Sequence, residues 1–376
     1  MNPSFWSSRR VFLTGHTGFK GSWLAFWLLS MGAEVCGYAL DPPTDPSLFH
    51  LLELDGQLQS ICKDIRGDIR DMAALESAMR GFAPEVVIHM AAQPLVRLSY
   101  QNPVETYAVN VLGTVHLLDA VRRTPSVRAV VVVTSDKCYE NQEWHKPYRE
   151  DEPMGGHDPY SSSKGCAELV TAAYRSSFFA TEQYMQHQVA VASARAGNVI
   201  GGGDWALDRL VPDIMRAFSA SEPVVIRNPE AVRPWQHVLE PLAGYLTLAE
   251  RLYTHGPAFA EGWNFGPDES DARPVRYLVS ELARLWGDGS RWQCTEAEKV
   301  HEANLLRLDS SKARAQLDWS SQWSLDETLV HTVEWYKGFY LGEDVRAITL
   351  KQIQTYTRQS GLLRKSKLQS APDVSR

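Results

Sequence analysis

The sequence predicts an α/β chain built on a doubly wound parallel sheet, with a smaller α/β lobe toward the C-terminus. Three observations carry this. Short apolar runs alternate with longer amphipathic ones through the first 200 residues, a glycine-rich turn joins the first run to the second, and beyond Gly201 the pattern breaks into shorter pieces. Near-continuous Val/Ile/Leu runs are what a parallel sheet covered on both faces requires.

Strands are expected at 10–14, 33–40, 85–90, 129–134 and 188–195. Between them, apolar side chains recur with the helical period over 20–31, 72–82, 103–123 and 159–179. The apolar run 23–29 is too short to span a bilayer and reads as a buried helix face. Gly201-Gly202-Gly203 ends the alternation, and Pro212, Pro223, Pro229, Pro234 and Pro241 punctuate the segments beyond it. Residues 1–200 are therefore read as one domain, with 236–262 returning to it. Residues 201–235 and 263–345 form the second lobe, and 346–376, polar and without clear periodicity, a flexible tail.

Composition narrows the function classes. The chain has 376 residues, enough to bury a sizeable core without disulfides or structural metal. A net charge of −7 gives no basic footprint for nucleic acid. The five cysteines (Cys36, Cys62, Cys138, Cys166, Cys294) are odd in number and form no CxxC pair, which suits a reducing cytoplasm. Eleven histidines include no HxxxH or HExxH, so no metal is expected. No signal peptide precedes the first strand, and neither membrane nor nucleic acid is expected as a partner.

The turn Thr14-Gly15-His16-Thr17-Gly18-Phe19-Lys20-Gly21 links the first strand to the first helix. Glycines there let backbone amides approach a diphosphate, which the helix N-terminus also favours. The spacing is GxxGxxG, with Thr17 where GxGxxG would carry its second glycine, and an ordinary strand–helix turn is the competing reading. Asp41, twenty residues past Gly21, could accept both adenosine-ribose hydroxyls; alternatively it starts a turn before Pro42-Pro43. No arginine adjoins it in the sequence to welcome a 2′-phosphate, which favours NAD over NADP.

Tyr160 and Lys164 stand one helical turn apart, after Pro159. An ammonium beside a phenol favours the phenolate, making Tyr160 a candidate general base. Ser135-Asp136-Lys137 come directly after an apolar strand, where α/β folds place ligands. Ser-Asp also begins ordinary turns, and that is the bland alternative.

Together these pieces resemble the extended short-chain dehydrogenase/reductase family, a Rossmann-type fold, over residues 9 to 340. The resemblance rests on Gly15/Gly18/Gly21, Asp68-Ile69, His89-Met90-Ala91-Ala92-Gln93, Asn110 and Tyr160/Lys164. Within the family, 16–24, 134–139, 197–205, 226–229 and 233–238 look most like the nucleotide-sugar 4,6-dehydratases. Asp136-Lys137, where those relatives usually carry Asp-Glu, favours the CDP-sugar branch and leaves the identity of the C5 base open.

The resemblance implies NAD, held by Gly15, Gly18, Phe19, Gly21, Asp41, Asp68, Ile69, Ala91, Ala92, Asn110, Thr134, Tyr160 and Lys164. It implies CDP-glucose as substrate, held by Gln93, Asn198, Arg209, Leu210, Val211, Arg227 and Arg233, with surface salt bridges the alternative for Arg209 and Arg227. Trp235 is expected to pack rather than stack. Ser135, Asp136, Lys137, Tyr160 and Lys164 would carry oxidation at C4, loss of water across C5/C6 and reduction at C6. That scheme needs Asp136 protonated and Lys137 neutral. The family likeness further implies a homo-oligomer through a four-helix interface and a product destined for a deoxysugar of surface polysaccharide such as O-antigen. A 4-epimerase, or a dehydratase for another nucleotide sugar, is the nearest alternative; a non-catalytic NAD sensor is more remote.

Overall fold

The computed structural model describes residues 2–56, 63–287, 289–294 and 306–369, with side chains up to 360; Cys62 lies outside them. Seven parallel strands form the main sheet: β1 (Arg10–Thr14), β2 (Glu34–Ala39), β3 (Lys63–Arg66), β4 (Val86–His89), β5 (Ala129–Val133), β6 (Ala190–Ala196) and β7 (Gly262–Phe265). Their order is β7-β6-β5-β4-β1-β2-β3, so winding reverses between β1 and β4. The five expected strands are all present. Two were not expected: β3, because Lys63–Arg66 is polar and half-exposed, and β7, which the expected return of 236–262 stopped short of.

Alternation along the strands feeds two cores. Val11, Leu13, Val86, Ile88, Val131 and Val133 face one side, and Phe12, Val87, Val130 and Val132 the other. The second face is covered by α2 (Met72–Phe82), α4 (Gly113–Arg122) and α5 (Pro159–Ser177). Ahead of α4, α3 (Val96–Gln101) and the short helix Pro103–Tyr107 lead into a π-helical turn, Ala108–Leu112, that interrupts the helix expected over 103–123.

The first face is covered by α1 (Phe19–Ser30) and α7 (Leu239–His255). Trp23 to Leu28 are buried around the whole circumference of α1, which therefore needs cover on its outer side too. The C-terminal helix α9 (Val345–Gln369) supplies it, with Tyr356 set edge-on against Trp27 at 5.8 Å. This corrects the tail expected at 346–376 as far as Gln369; 370–376 lie outside the described residues. The buried stripe of α9 mixes Val345, Ile353 and Tyr356 with Thr349 and Gln352, so its apolar period is faint. Thr349 accepts from Trp335 Nε1 at 2.8 Å on α8 (Leu325–Tyr340), and Gln352 Nε2 donates to the His331 carbonyl at 2.9 Å.

The smaller lobe is made of short pieces. Val224–Ile226 pairs with Trp292–Cys294, and Val232–Pro234 with Ala272–Pro274, backed by α6 (Leu210–Ser219) and the helix Val275–Trp286. Val199–Ile200 and Gln236–His237 pair in parallel and tie this lobe to the main sheet. No helix among the described residues is long and apolar enough to cross a membrane, and no cluster of metal-ligating side chains occurs among them.

Candidate active site

One cleft of about 1250 Å³ opens at the carboxyl ends of the main strands and runs between the sheet and the smaller lobe. Winding reverses there, so loops leaving β1 and β4 diverge and make room for a ligand. Every expected site residue borders this cleft except Asn110.

The glycine loop forms one wall. Gly15 has φ +77°, and a Cβ there would stand 2.7 Å from the Ala91 amide, so only glycine lets β1 and β4 approach this closely. A Cβ on Gly21 would lie 2.0 Å from the Gly15 carbonyl. Gly18 is the N-cap of α1, its missing Cβ has no neighbour nearer than 3.5 Å, and no side chain caps the helix. The uncapped amides thus border open space, a fit for the diphosphate of a dinucleotide.

The adenosine end differs from expectation in its surroundings. Asp41 is almost fully exposed at the cleft edge, and Arg66 Nε on β3 lies 3.7 Å from it. The sequence shows no arginine beside Asp41; parallel pairing of Ala39 with Arg66 brings one there. Arg66 is in turn held by Asp64 at 2.9 Å, and the Asp64 carboxylate, kept below its usual range against burial by His16 and Arg66, accepts from buried His16 Nε2 at 2.8 Å. Ile69 lines the cleft, whereas Asp68 is engaged by Arg70, whose side chain holds the carboxyl below its usual range.

Two expected ligand-binding amides are occupied within the fold. Asn110, in the π-helical turn, accepts from Gln93 N at 2.8 Å and donates to the Gln93 carbonyl and Ser163 Oγ. The added π-helical residue turns it inward as a strut between the β4 loop and α5. The Gln93 side chain donates to Leu95 O and Thr106 Oγ1 and accepts from Leu95 N. Thr134 borders the cleft but gives its hydroxyl to Glu168.

The reacting end lies where β5 stops. Asp158 caps α5, accepting from Ser161 N at 2.9 Å, and Pro159 occupies the first turn, which starts the helix so that Tyr160 and Lys164 face the cleft. The Tyr160 amide donates to Ser99 Oγ of α3 at 3.1 Å. Burial pushes the Tyr160 phenol up to about 12, eased by the Ser135 hydroxyl; Lys164 is not among the main influences on it. Burial also pushes Lys164 down to about 8.

Ser135 Oγ donates to Asp136 Oδ1 at 2.9 Å, and Asp136 is buried. Burial raises its carboxyl above the usual range, outweighing Lys137, Ser135 and Arg233, which pull it down. The demand for a protonated Asp136 is met in direction. Gly197, just past β6, makes the position possible: a Cβ there would stand 2.9 Å from Asp136 Oδ2. Lys137 is half-buried on the cleft wall beside it.

The smaller lobe brings Asn198, Leu210, Val211, Arg209, Arg227 and Arg233 to the opposite wall. Arg209 Nη1 donates to Asp204 Oδ2 at 2.7 Å, and Arg227 Nη2 stands 3.9 Å from Asp208. Arg233 Nη1 donates to its neighbour's carbonyl, Val232 O, at 3.2 Å. Trp235 is buried and donates to Arg273 O, a packing role as expected, although its edge also borders the cleft.

Two features escaped the sequence reading. Lys20, inside the glycine loop, is directed into the site: its Nζ donates to Tyr245 OH at 3.0 Å, and burial, with Lys164 and Arg209, pushes it down to about 7. An amphipathic lysine in an otherwise apolar α1 was the available signal. The other is Glu168, one turn past Lys164, which accepts from Ser193, Thr134 and both Nε and Nη2 of Arg195 beneath the site.

Comparison with known proteins places this geometry. A family model described as GDP-mannose 4,6 dehydratase matches residues 12–332. A CDP-glucose 4,6-dehydratase of Salmonella typhimurium is 56% identical over 356 residues, 95% of this chain and 98% of that one. Among solved structures, a dTDP-glucose 4,6-dehydratase from Streptomyces venezuelae with NAD and TYD bound superposes with TM-score 0.73 at 25% identity, covering 90% of this chain and 99% of that one. A UDP-glucose 4-epimerase from Thermotoga maritima with UDP-glucose shares the fold, with TM-score 0.73 at 21% identity over 88% of this chain and 99% of that one.

Proposed function

The chain belongs to the GDP-mannose 4,6 dehydratase family, within the extended short-chain dehydrogenases/reductases, and on that premise we propose that it converts CDP-D-glucose to CDP-4-keto-6-deoxy-D-glucose and water. The observation that carries the reading is Asp136: a buried carboxyl at the mouth of β5, pushed by burial toward its protonated form, hydrogen-bonded to Ser135 and beside Tyr160, in a cleft with room for a dinucleotide and a nucleotide sugar. A plain epimerase has no use for an acid there; a dehydratase needs one to release the C6 hydroxyl.

NAD fits the glycine loop and, when bound, supplies the hydride acceptor at C4 and the donor at C6, with a cationic ring that favours the Tyr160 phenolate. Gly15, Gly18 and Gly21 would hold its diphosphate, Asp41 its adenosine ribose, and Ile69, Ala91 and Ala92, which border the same cleft, its rings. Tyr160, aided by Ser135, takes the C4 hydroxyl proton. Once C4 is a ketone, the C5 proton is acidic, and Lys137 takes it. Asp136 gives its proton to the departing C6 hydroxyl, so one water leaves and the carbon skeleton gains a 5,6 double bond. Reduction at C6 and protonation at C5 complete a cycle without net oxidation. Arg209, Arg227 and Arg233 suit the sugar diphosphate, each offering a planar fork of donors.

Two copies would associate through the exposed apolar side chains Val104 on the short helix Pro103–Tyr107, Leu112 at the end of the π-helical turn and Leu169 on α5. The soluble nucleotide sugar suits a cytoplasmic enzyme feeding deoxysugar assembly for surface polysaccharide such as O-antigen. The deciding experiment is mass spectrometry of CDP-glucose incubated with the protein and catalytic NAD in deuterated water. Loss of one water with one solvent deuteron at C5 is expected; CDP-galactose at unchanged mass would make the chain an epimerase. Normal turnover by Lys137→Met would remove Lys137 from the C5 step.

A further inference from the structure

The wall that carries Tyr160 and the wall that carries the arginines are joined across the cleft by one ion pair. Arg97 lies in the first turn of α3 and Asp208 in the loop before α6; both border the cleft, and Arg97 Nη1 donates to Asp208 Oδ1 at 2.9 Å. Neither residue was singled out by the sequence, since 111 positions separate them.

We propose that the Arg97–Asp208 pair is a strap that holds the cleft closed over its ligands between the oxidation and the final reduction. This rests on the nucleotide-sugar reading of the site. Three observations support it. The cleft keeps about 1250 Å³ with the strap fastened, so closure does not exclude the ligands. Arg227 Nη2 stands 3.9 Å from the same carboxylate oxygen, so two cations share one anion and leave a net positive charge on the cleft edge. Arg227, the more distant of the two, is therefore available to a diphosphate while Arg97 keeps Asp208. Finally, α3 is tied to the reacting end: Ser99, two residues past Arg97, accepts the Tyr160 amide at 3.1 Å. Tension on the strap thus reaches the start of the catalytic helix.

Both partners are half-exposed, with side-chain exposures of 36% and 46%, so the pair is weak enough to open once per cycle and sensitive to salt. If it opens early, the 4-keto-5,6-ene leaves. Relative to substrate this species would have lost a hydride from C4, the C4 hydroxyl proton to Tyr160 and one water, so the enzyme would be left in its reduced state. Retention of the intermediate is what the strap provides.

The test uses the full chain as parent, Asp208→Asn, which keeps the left-handed backbone at 208 (φ +60°), Arg97→Ala and the double variant. NAD release is followed by stopped-flow tryptophan fluorescence, Trp205 being on the cleft wall. Each single variant is expected to release NAD about two- to fivefold faster than the parent. The double variant should be no faster than the faster single, and only the parent should accelerate with added salt. With CDP-glucose, the single variants should also accumulate 340 nm absorbance that does not decay, along with free unsaturated sugar nucleotide. Release rates equal to the parent's in both single variants, or fully additive effects in the double, overturn the strap. Parent protein that leaves CDP-glucose unchanged overturns the substrate reading instead, while the release rates still decide the strap.

Discussion

Asp136 and Glu168 are buried carboxylates at the same end of the sheet, one on the cleft wall and one in the layer beneath, and their environments drive them in opposite directions. For both, burial favours the protonated form. Around Glu168, the Arg195 charge, its two hydrogen bonds and the Ser193 and Thr134 hydroxyls outweigh burial and hold the carboxyl below its usual range. Around Asp136 the nearest donor is a single serine, and burial wins. The lower layer is a satisfied network that also takes in Tyr139, through Arg195 Nη1 at 2.6 Å, and Asn264, through the Tyr139 hydroxyl at 2.8 Å. It fixes β5, β6, β7 and α5 to one another. The upper layer has no such buried charge partner fastened to its carboxyl, and burial pushes Asp136 in the direction that suits donating a proton.

The largest expected effect is on the cleft side. Asp136→Asn should lower turnover by about 10²–10⁴-fold, the range for loss of a positioned acid. Folding should persist, and a single-turnover rise at 340 nm should survive, because the C4 step does not use this proton. Retained turnover would place the acid elsewhere. In the lower layer, Glu168→Gln should cost about 3–5 kcal/mol in denaturant unfolding by leaving Arg195 buried without its charge partner. Glu168→Met with Arg195→Met should recover most of that stability. If the single substitution is neutral, the network is not what holds α5.

Gly197→Ala sharpens the contrast because its one tight contact is with the upper carboxyl, Pro234 Cγ lying at an ordinary 3.7 Å. Its Cβ would press on Asp136 Oδ2 from 2.9 Å, and crowding of that kind costs about 1–3 kcal/mol. The expected outcome is a drop in kcat with a small change in melting temperature; an unchanged kcat would mean that the carboxyl has room to move.

The smallest effect is a difference in pH dependence. Glu168 has a lowered folded value, so its contribution is present above its unfolded value of 4.5 and is lost as pH falls through the folded one. Asp136 is raised, so its folded form holds a proton that the unfolded chain releases above 3.8, and stability falls as pH rises through that window. Asp136→Asn should therefore be more stable than the parent at neutral pH and lose that advantage as pH drops to 3.8. Equal curves would mean that Asp136 is ionised in the folded protein.

Much of the site was legible from local pattern. The glycine loop, Tyr160/Lys164 and Ser135-Asp136-Lys137 lie within single strand–turn–helix units, so spacing alone placed them on the cleft. Where reading failed, the cause was contact between distant segments. Arg66 reaches Asp41 only because β3 pairs with β2, and Asn110 turns inward only because the helix there gains a π-helical turn. The terminal helix α9 was missed because threonine and glutamine, satisfied by Trp335 and His331, fill a stripe that apolar residues would have announced.

The sequence by itself determined the parallel sheet, the location of the site at its strand ends and the chemical types gathered there, because these depend on periodicity and on residues close in the chain. Tertiary structure decided which carboxyl burial pushes toward protonation and which charge holds ionised, which amides are taken up within the fold, and that Arg97 meets Asp208. Those outcomes depend on burial and on charges brought within a few ångströms from far along the chain, quantities that exist only once the sheet, its helices and the second lobe have packed.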